Sequence, residues 1–230
     1  MKELDVFIQG ETVDLCIPTA EFANESDWYK WFNDKKITRF LEQGMFPNTS
    51  AEQVDFFNTQ KKSGRVTFII SNKEKYIGVI SLSSVDLNKK KCDIALVINN
   101  ALDMKRSPFI ALESMALMTK HAVETMGMKR IEAGQHVELV NWQRRMELIG
   151  YKVEGYHQGR FIKGREVSDT VSLACLVEDY DKIVECRGSL WDTRINMQQR
   201  IKKLPKQCYA DKLRVFMKES DEYYDDIFKL

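Results

Sequence analysis

Apolar residues recur along this chain at two intervals, and the interval switches several times. Residues 12–17 read T-V-D-L-C-I, alternate, and stop at Pro18, which predicts a half-buried strand ending where a ladder N–H would be missing. Residues 27–34 crowd Trp28, Tyr29, Trp31 and Phe32 together and predict a short helix laid over an apolar surface. Asn48, Thr49 and Ser50 offer capping side chains, and Val54, Phe56 and Phe57 then follow at helical spacing over 51–62 before Gly64. From Val66 the pattern shortens. Residues 66–70 and 76–82 read as strands joined by a polar turn over 71–75, and 92–98 as the next strand, apolar except for Asp93.

The most regular piece is 108–126, where Leu112, Met115, Ala116, Thr119, Ala122, Val123 and Met126 share one face of a long amphipathic helix. Ser107 can cap its start, Pro108 occupies the first helical position where a missing N–H costs little, and Gly127 ends it. A strand follows over 130–136, then a helix over 139–149 with Leu139, Trp142, Met146 and Ile149 inward and Gly150 closing it. Strands over 151–157 and 167–177, with a loop at 158–166, complete the order β-α-α-β-β-β-α-β-α-β-β. That order predicts an α/β or α+β fold, a mixed sheet with helices on both faces. Past residue 177 the alternation stops. The mixed-charge remainder predicts helices that dock on the domain or on a second subunit, with 221–226 frayed, so the expected division is a domain at 1–178 and a helical extension at 179–230.

Composition narrows the function. Lys and Arg total 35 against 34 Asp and Glu, a formal charge of +1, so there is no field of one sign to draw a polyanion, and nucleic acid is not an expected partner. No apolar run approaches the ~18 residues of a membrane helix, and the opening MKELDVFIQGE lacks a signal-peptide pattern, so no membrane partner and a cytoplasmic location are expected. The five cysteines are scattered without a C-x-x-C pair, which predicts reduced thiols and no metal site. There is no G-x-x-x-x-G-K-[ST], G-x-S-x-G, H-E-x-x-H or G-x-G-x-x-G, which sets aside P-loop enzymes, serine hydrolases, zincins and dinucleotide binders.

Four segments in order, Gly10 to Leu15, Tyr76 to Leu82, Met126 to Glu132 and Glu147 to Gly155, together with the strand, long helix, strand, helix, strand succession, resemble the GNAT superfamily of acyl-CoA-dependent N-acyltransferases, in its ribosomal-protein and amino-sugar acetyltransferase branch. The resemblance covers roughly residues 10–177. It implies a GNAT-like, mainly antiparallel mixed sheet, acetyl-CoA as cosubstrate, and direct attack of a primary amine on the thioester. In that family the CoA pyrophosphate rests on the start of the long helix in a loop [QR]-x-x-G-x-[GA], where free N–H groups and the helix dipole favour an anion. Here the aligned residues are Arg106, Ser107, Pro108, Phe109, Ile110 and Ala111, with Phe109 in the glycine position. Lys105 and Arg106 could add direct phosphate contacts. The resemblance also places Val97, Ile98 and Trp142 beside the cofactor.

For the base that takes the amine's proton, Asp93 matches a strand position at which some relatives carry a glutamate, and Glu132 and His136 share one face of the neighbouring strand. His136 is expected at the mouth of the cleft. The tyrosine that many relatives use as an acid is replaced by Met146, and Tyr151 falls at a core aromatic position. Trp28, Tyr29 and Trp31 lie where relatives close over the acceptor, so a small-molecule amine is the expected partner, a nucleotide-linked amino sugar being preferred because aromatic rings stack on sugars and bases. A homodimer stays open. Phe109 and Met146 also leave a second reading open, a GNAT-fold binding or assembly module that has lost turnover.

Overall fold

The computed structural model describes residues 3–99, 107–220 and 225–229. Its alternating segments become β1 (Val6–Gln9), β2 (Asp14–Cys16), β3 (Val66–Ser71), β4 (Tyr76–Asp86), β5 (Lys91–Ile98), β6 (Arg130–His136), β7 (Lys152–Lys163) and β8 (Glu166–Leu176). They join in one sheet ordered β1-β2-β3-β4-β5-β6-β8-β7, antiparallel at every seam except β5 to β6. A parallel seam needs a long crossover. Helix α4 (Ser107–Lys120), followed by a π-helical turn over His121–Thr125, belongs to it.

Strand alternation sorts side chains into two layers. Phe68, Ile70 and Ile80 join the larger core with Leu112, Met115 and Met118 of α4, whereas Ile69 and Val79 join a second core with Phe22, Trp28 and Trp31. The second layer is built by α1 (Ala20–Glu25), α2 (Trp28–Asn33) and α3 (Ser50–Lys62). Thr49 starts α3 with a capping box: its Oγ1 accepts from the Glu52 N–H at 3.2 Å while the Glu52 carboxylate accepts from the Thr49 N–H at 2.8 Å. This arrangement is the expected mixed, mainly antiparallel α/β fold with helices on both faces.

Four local expectations are corrected. β1 and α1 were not foreseen, and residues 158–166 form no loop, since β7 runs to Lys163 and turns tightly into β8. The helix over 108–126 is buried on nearly every side, Glu113, Ser114 and Thr119 included, and its last turn is π-helical. Of the segment expected to fray, 221–224 lies outside the described residues and Asp225–Phe228 is helical, as α9 below. The extension comprises α6 (Val177–Arg187), α7 (Arg194–Lys203), α8 (Tyr209–Ser220) and α9 (Asp225–Phe228), and its Leu190, Met197, Cys208 and Ala210 join the larger core. Burial pushes the Cys92 and Cys175 thiols up to about 12 and Cys16 to about 11, which leaves them unreactive. Among the described residues no helix is long and apolar enough to cross a membrane.

Candidate active site

The site begins where the parallel seam ends. β5 and β6 (with α5, Val140–Glu147, after it) pair through three rungs only, Lys91 with Arg130, Cys92 with Ile131 and Asp93 with Glu132. Beyond Asp93 the two strands separate into a wedge. Cys92 and Ile131 belong to the larger core, so strand alternation turns Asp93 and Glu132 to the opposite face, that of α1 to α3, at the apex of the wedge. Across the other seam Asp93 stands opposite Ser83, and the next rung on the same face sets Ala95 opposite Ser81.

The three candidate bases sit in different surroundings. Asp93 is half-buried at the apex. Glu132 accepts from Arg130 Nε at 2.6 Å, and the same guanidinium binds Glu154 of β7, holding that carboxyl below its ordinary range. His136 lies inside the protein rather than at a cleft mouth. It is 1% exposed, its Nδ1 accepts from the Glu138 N–H at 3.2 Å, and its ring sits between Phe40 and Phe161 with centroids 4.8 Å away on each side.

A pocket of about 360 Å³ opens on the same face, beside the wedge. β4 and β5 form its floor with Val79, Ser81, Ala95 and Val97, α2 and α3 contribute Trp28, Phe32, Gln53 and Phe56, and Met45 and Phe46 form its outer wall. Arg65, between α3 and β3, reaches in from the side: its Nε and Nη2 donate to Ser81 Oγ at 3.0 and 2.9 Å, and Nη1 to Gln60 Oε1 at 3.0 Å. Of the expected acceptor residues, Trp28 lines this pocket, Trp31 is packed in the second core, and Tyr29 is half-buried with the Lys30 ammonium 5.8 Å from its ring centroid. Sequence reading missed Arg65, Ser81 and the wall at 41–48. It also missed Lys163, whose ammonium donates to the carbonyls of Thr38, Leu41 and Gln43 at 2.5, 3.0 and 2.8 Å and so secures that wall.

At the expected cofactor end, Lys105 and Arg106 lie outside the described residues, and Ser107 begins α4. Ile110 and Ala111 are buried, Val97 and Ile98 half-buried, and Trp142 packs on the larger core. Phe109 is half-buried with the Arg194 guanidinium 5.6 Å from its ring centroid, beside a cavity of about 290 Å³ also lined by Thr12 and Lys73. Arg194 is placed there by the Glu11 carboxylate, which accepts from its N–H at 2.7 Å and from Trp191 Nε1 at 2.8 Å. Met146 and Tyr151 are core residues. The Tyr151 hydroxyl bonds Thr119 Oγ1 at 2.8 Å, and burial holds it well above the ordinary phenol range. Nothing in that position offers a proton to the wedge.

The family model described as an acetyltransferase (GNAT) domain matches residues 18–152, more than half of the chain. No curated protein matches the sequence. Among solved structures, a GNAT-family acetyltransferase from Bacillus anthracis is 22% identical, with a TM-score of 0.60 over 74% of this chain and 98% of that one. RimL, a ribosomal L7/L12 alpha-N-protein acetyltransferase in complex with coenzyme A, is 12% identical, with a TM-score of 0.64 over 75% and 98%. The microcin C7 self-immunity acetyltransferase MccE, in complex with acetyl-CoA and AMP, is 19% identical, with a TM-score of 0.59 over 73% and 93%. A sheet that splits open along its one parallel seam thus has the same overall fold as these enzymes, and the match of the family model across that seam makes the chain a member of the GNAT family, an N-acyltransferase by class.

Proposed function

We propose that the protein transfers an acetyl group from acetyl-CoA to the primary amine of a small molecule held in the pocket beside the wedge. One observation carries the reading: Asp93 closes the apex of the wedge on the same face as the pocket floor, two residues from Ala95. Bound acetyl-CoA supplies an activated thioester; two structural neighbours hold acetyl-CoA or coenzyme A, which supports this choice. The residues present suit such a group. Past Asp93 the facing edges of β5 and β6 have no ladder partner among the described residues, and α4 begins there in the described chain, where a helix start favours an anion. Val97 and Ile98 on that edge, and Ser107, Phe109, Ile110 and Ala111 at the helix start, would hold it, mainly through backbone because Ile110 and Ala111 are buried. Trp142 would flank it.

The chain's own work is then positioning and proton traffic. The pocket walls orient the amine and exclude water, and Asp93 accepts the proton that the amine loses as its nitrogen bonds the acyl carbon, directly or through one water. The leaving thiolate takes its proton from solvent. Glu132, engaged by Arg130, and His136, enclosed by two rings, hold the strand in place. The acceptor is an amine on a body that can lie against rings; a nucleotide-linked amino sugar meets that description through Trp28 and Phe32.

Calorimetric titration of the full chain with acetyl-CoA and with desulfo-CoA, followed by thiol release with a panel of amines, tests the reading. Micromolar binding and amine-dependent release of CoA are expected. No heat at two temperatures, with no thermal shift, would overturn it.

A further inference from the structure

The pocket is lined by a hydrogen-bond donor, Arg65, whose donating capacity is only partly used among the described residues. Arg65 is half-buried, and among the described residues no carboxylate lies within ion-pair distance of it. Its three hydrogen bonds all go to neutral oxygens, those of Ser81 and Gln60. They leave one N–H on each terminal nitrogen without a partner among the described residues. Two further lining residues, Trp28 and Gln53, each keep a donor, Nε1 and Nε2, sealed inside the protein with no acceptor among the described residues, so neither reaches the pocket's open space. Glu42 is the one acid among the described lining residues, and it is exposed on the outer wall.

A guanidinium stays charged at any ordinary pH, so it cannot relieve its burial by losing a proton. Burial does pull its proton affinity below that of an ordinary arginine, and no neighbouring carboxylate restores it. An arginine needed only for solubility would turn its head to water. This one is fixed by Ser81 from the pocket floor and Gln60 from the end of α3, which orients the planar fork before any ligand arrives. A planar fork with two free N–H groups is the natural partner of a carboxylate or a phosphate.

We propose that this pocket selects amines that also carry an anionic group, a carboxylate or a phosphate, and that Arg65 pairs with that group. The inference rests on the reading of the pocket as the acceptor site. The anion gives Arg65 the counter-charge it lacks, and the apolar walls take the body of the molecule. Ser81, which holds the guanidinium, is paired across the seam with Ala95, next along β5 to Asp93 on the same face. Binding the acid group therefore sets the amine's distance from the base.

The test uses the full chain and matched ligands: 4-(aminomethyl)benzoate, its carboxamide, and 4-(aminomethyl)phenyl phosphate. KM and kcat for CoA release are measured with the wild type, Arg65→Gln and Arg65→Lys, with thermal unfolding recorded for each. In parallel, 4-methylbenzoate and 4-methylphenyl phosphate, which have no amine, are titrated calorimetrically. The expected result is a KM for at least one anionic amine about 10-fold or more below that of the carboxamide, a preference lost in Arg65→Gln and partly kept in Arg65→Lys, with the variants raising the anionic amine's KM far more than the carboxamide's. Which anionic ligand wins identifies the acid group. Equal KM values for all three ligands, or an Arg65→Gln loss that falls equally on the carboxamide, would overturn the inference while leaving acetyl transfer standing. Arg65-dependent binding of the amine-free acids without turnover of any amine would instead support the anion site and count against acetyl transfer.

Discussion

Replacing Asp93 by asparagine keeps the size of the side chain and removes its affinity for a proton, so it separates chemistry from packing. Since a positioned general base contributes about 10²–10⁴-fold, Asp93→Asn is expected to lower kcat by at least about 10²-fold with little change in the acetyl-CoA dissociation constant, as rapid-quench kinetics and calorimetry would show. His136→Ala should behave oppositely, costing about 3 kcal/mol of stability by emptying a buried ring site while sparing turnover in whatever fraction stays folded, measured by denaturant titration. Glu113 gives a pH test. It is fully buried on α4, its carboxylate accepts from the N–H groups of Glu11 and Thr12, and burial, outweighing those bonds, raises its pKa above the ordinary carboxylate range. The native state then holds this proton more tightly than the unfolded chain, so the stability it contributes is full below the ordinary glutamate pKa and is lost as pH rises through the native one. Urea midpoints from pH 4 to 8 should therefore fall less steeply with pH in Glu113→Gln than in the wild type. At this scale the sequence was readable where a residue broke a pattern, as Asp93 does inside Ile94, Ala95, Leu96 and Val97. Arg65 breaks none, because a single arginine between a helix stop and a strand reads as solvated, and its neighbours Ser81 and Gln60 come from other elements. The scarcity of histidines drew attention to His136 but carries no information about burial.

Elements were legible in proportion to their regularity. β6 falls where the alternation of Arg130 to His136 put it, and the start of α4 where serine and proline marked it. β1 escaped because Val6 and Phe7 are both exposed, so no alternation shows, and α1 because its six residues include only one large apolar side chain, Phe22. Both strands of the β7–β8 hairpin were legible, but its outer half over 158–166 was hidden by Gly159 and Gly164, both at positive φ, and by register shifts at Val153/Gly155 and His157/Phe161. That hairpin matters because it delivers Lys163 to the carbonyls of Thr38, just before the pocket wall, and of Leu41 and Gln43 within it, an element-to-loop clamp that no local pattern encodes. Lys163→Met should leave the melting temperature within about 3 °C, as expected for one partly exposed polar cluster, but raise the KM for the amine several-fold by freeing the wall at 38–43, with acetyl-CoA binding unchanged. Isothermal titration and steady-state kinetics on the same preparation would check both halves.

At the scale of the molecule, the extension is a structural part of the domain it follows. Ending the chain after Gly188 would remove Leu190, Met197, Cys208 and Ala210 from the larger core and free Glu11 from Trp191 and Arg194. With about 1.5–3 kcal/mol for each large buried side chain, Leu190 and Met197 alone account for about 3–6 kcal/mol, which predicts a melting temperature lower by roughly 6–24 °C in scanning calorimetry. The short seam between β5 and β6 has a consequence of a different kind. Three rungs join the two strands and then the ladder stops, so the protein carries, in the middle of its sheet, two facing strand edges with no ladder partner among the described residues. A sheet of this size ordinarily confines such edges to its rim, where charge or proline guards them. Here the edges lie inside the sheet, where the acetyl-CoA of the proposed reaction would lie along them. Alternate amides of residues 94–98 should accordingly exchange with deuterium quickly in the free protein and slowly once an amide-bearing thioester lies between the strands, which makes the gap a built-in reporter of occupancy.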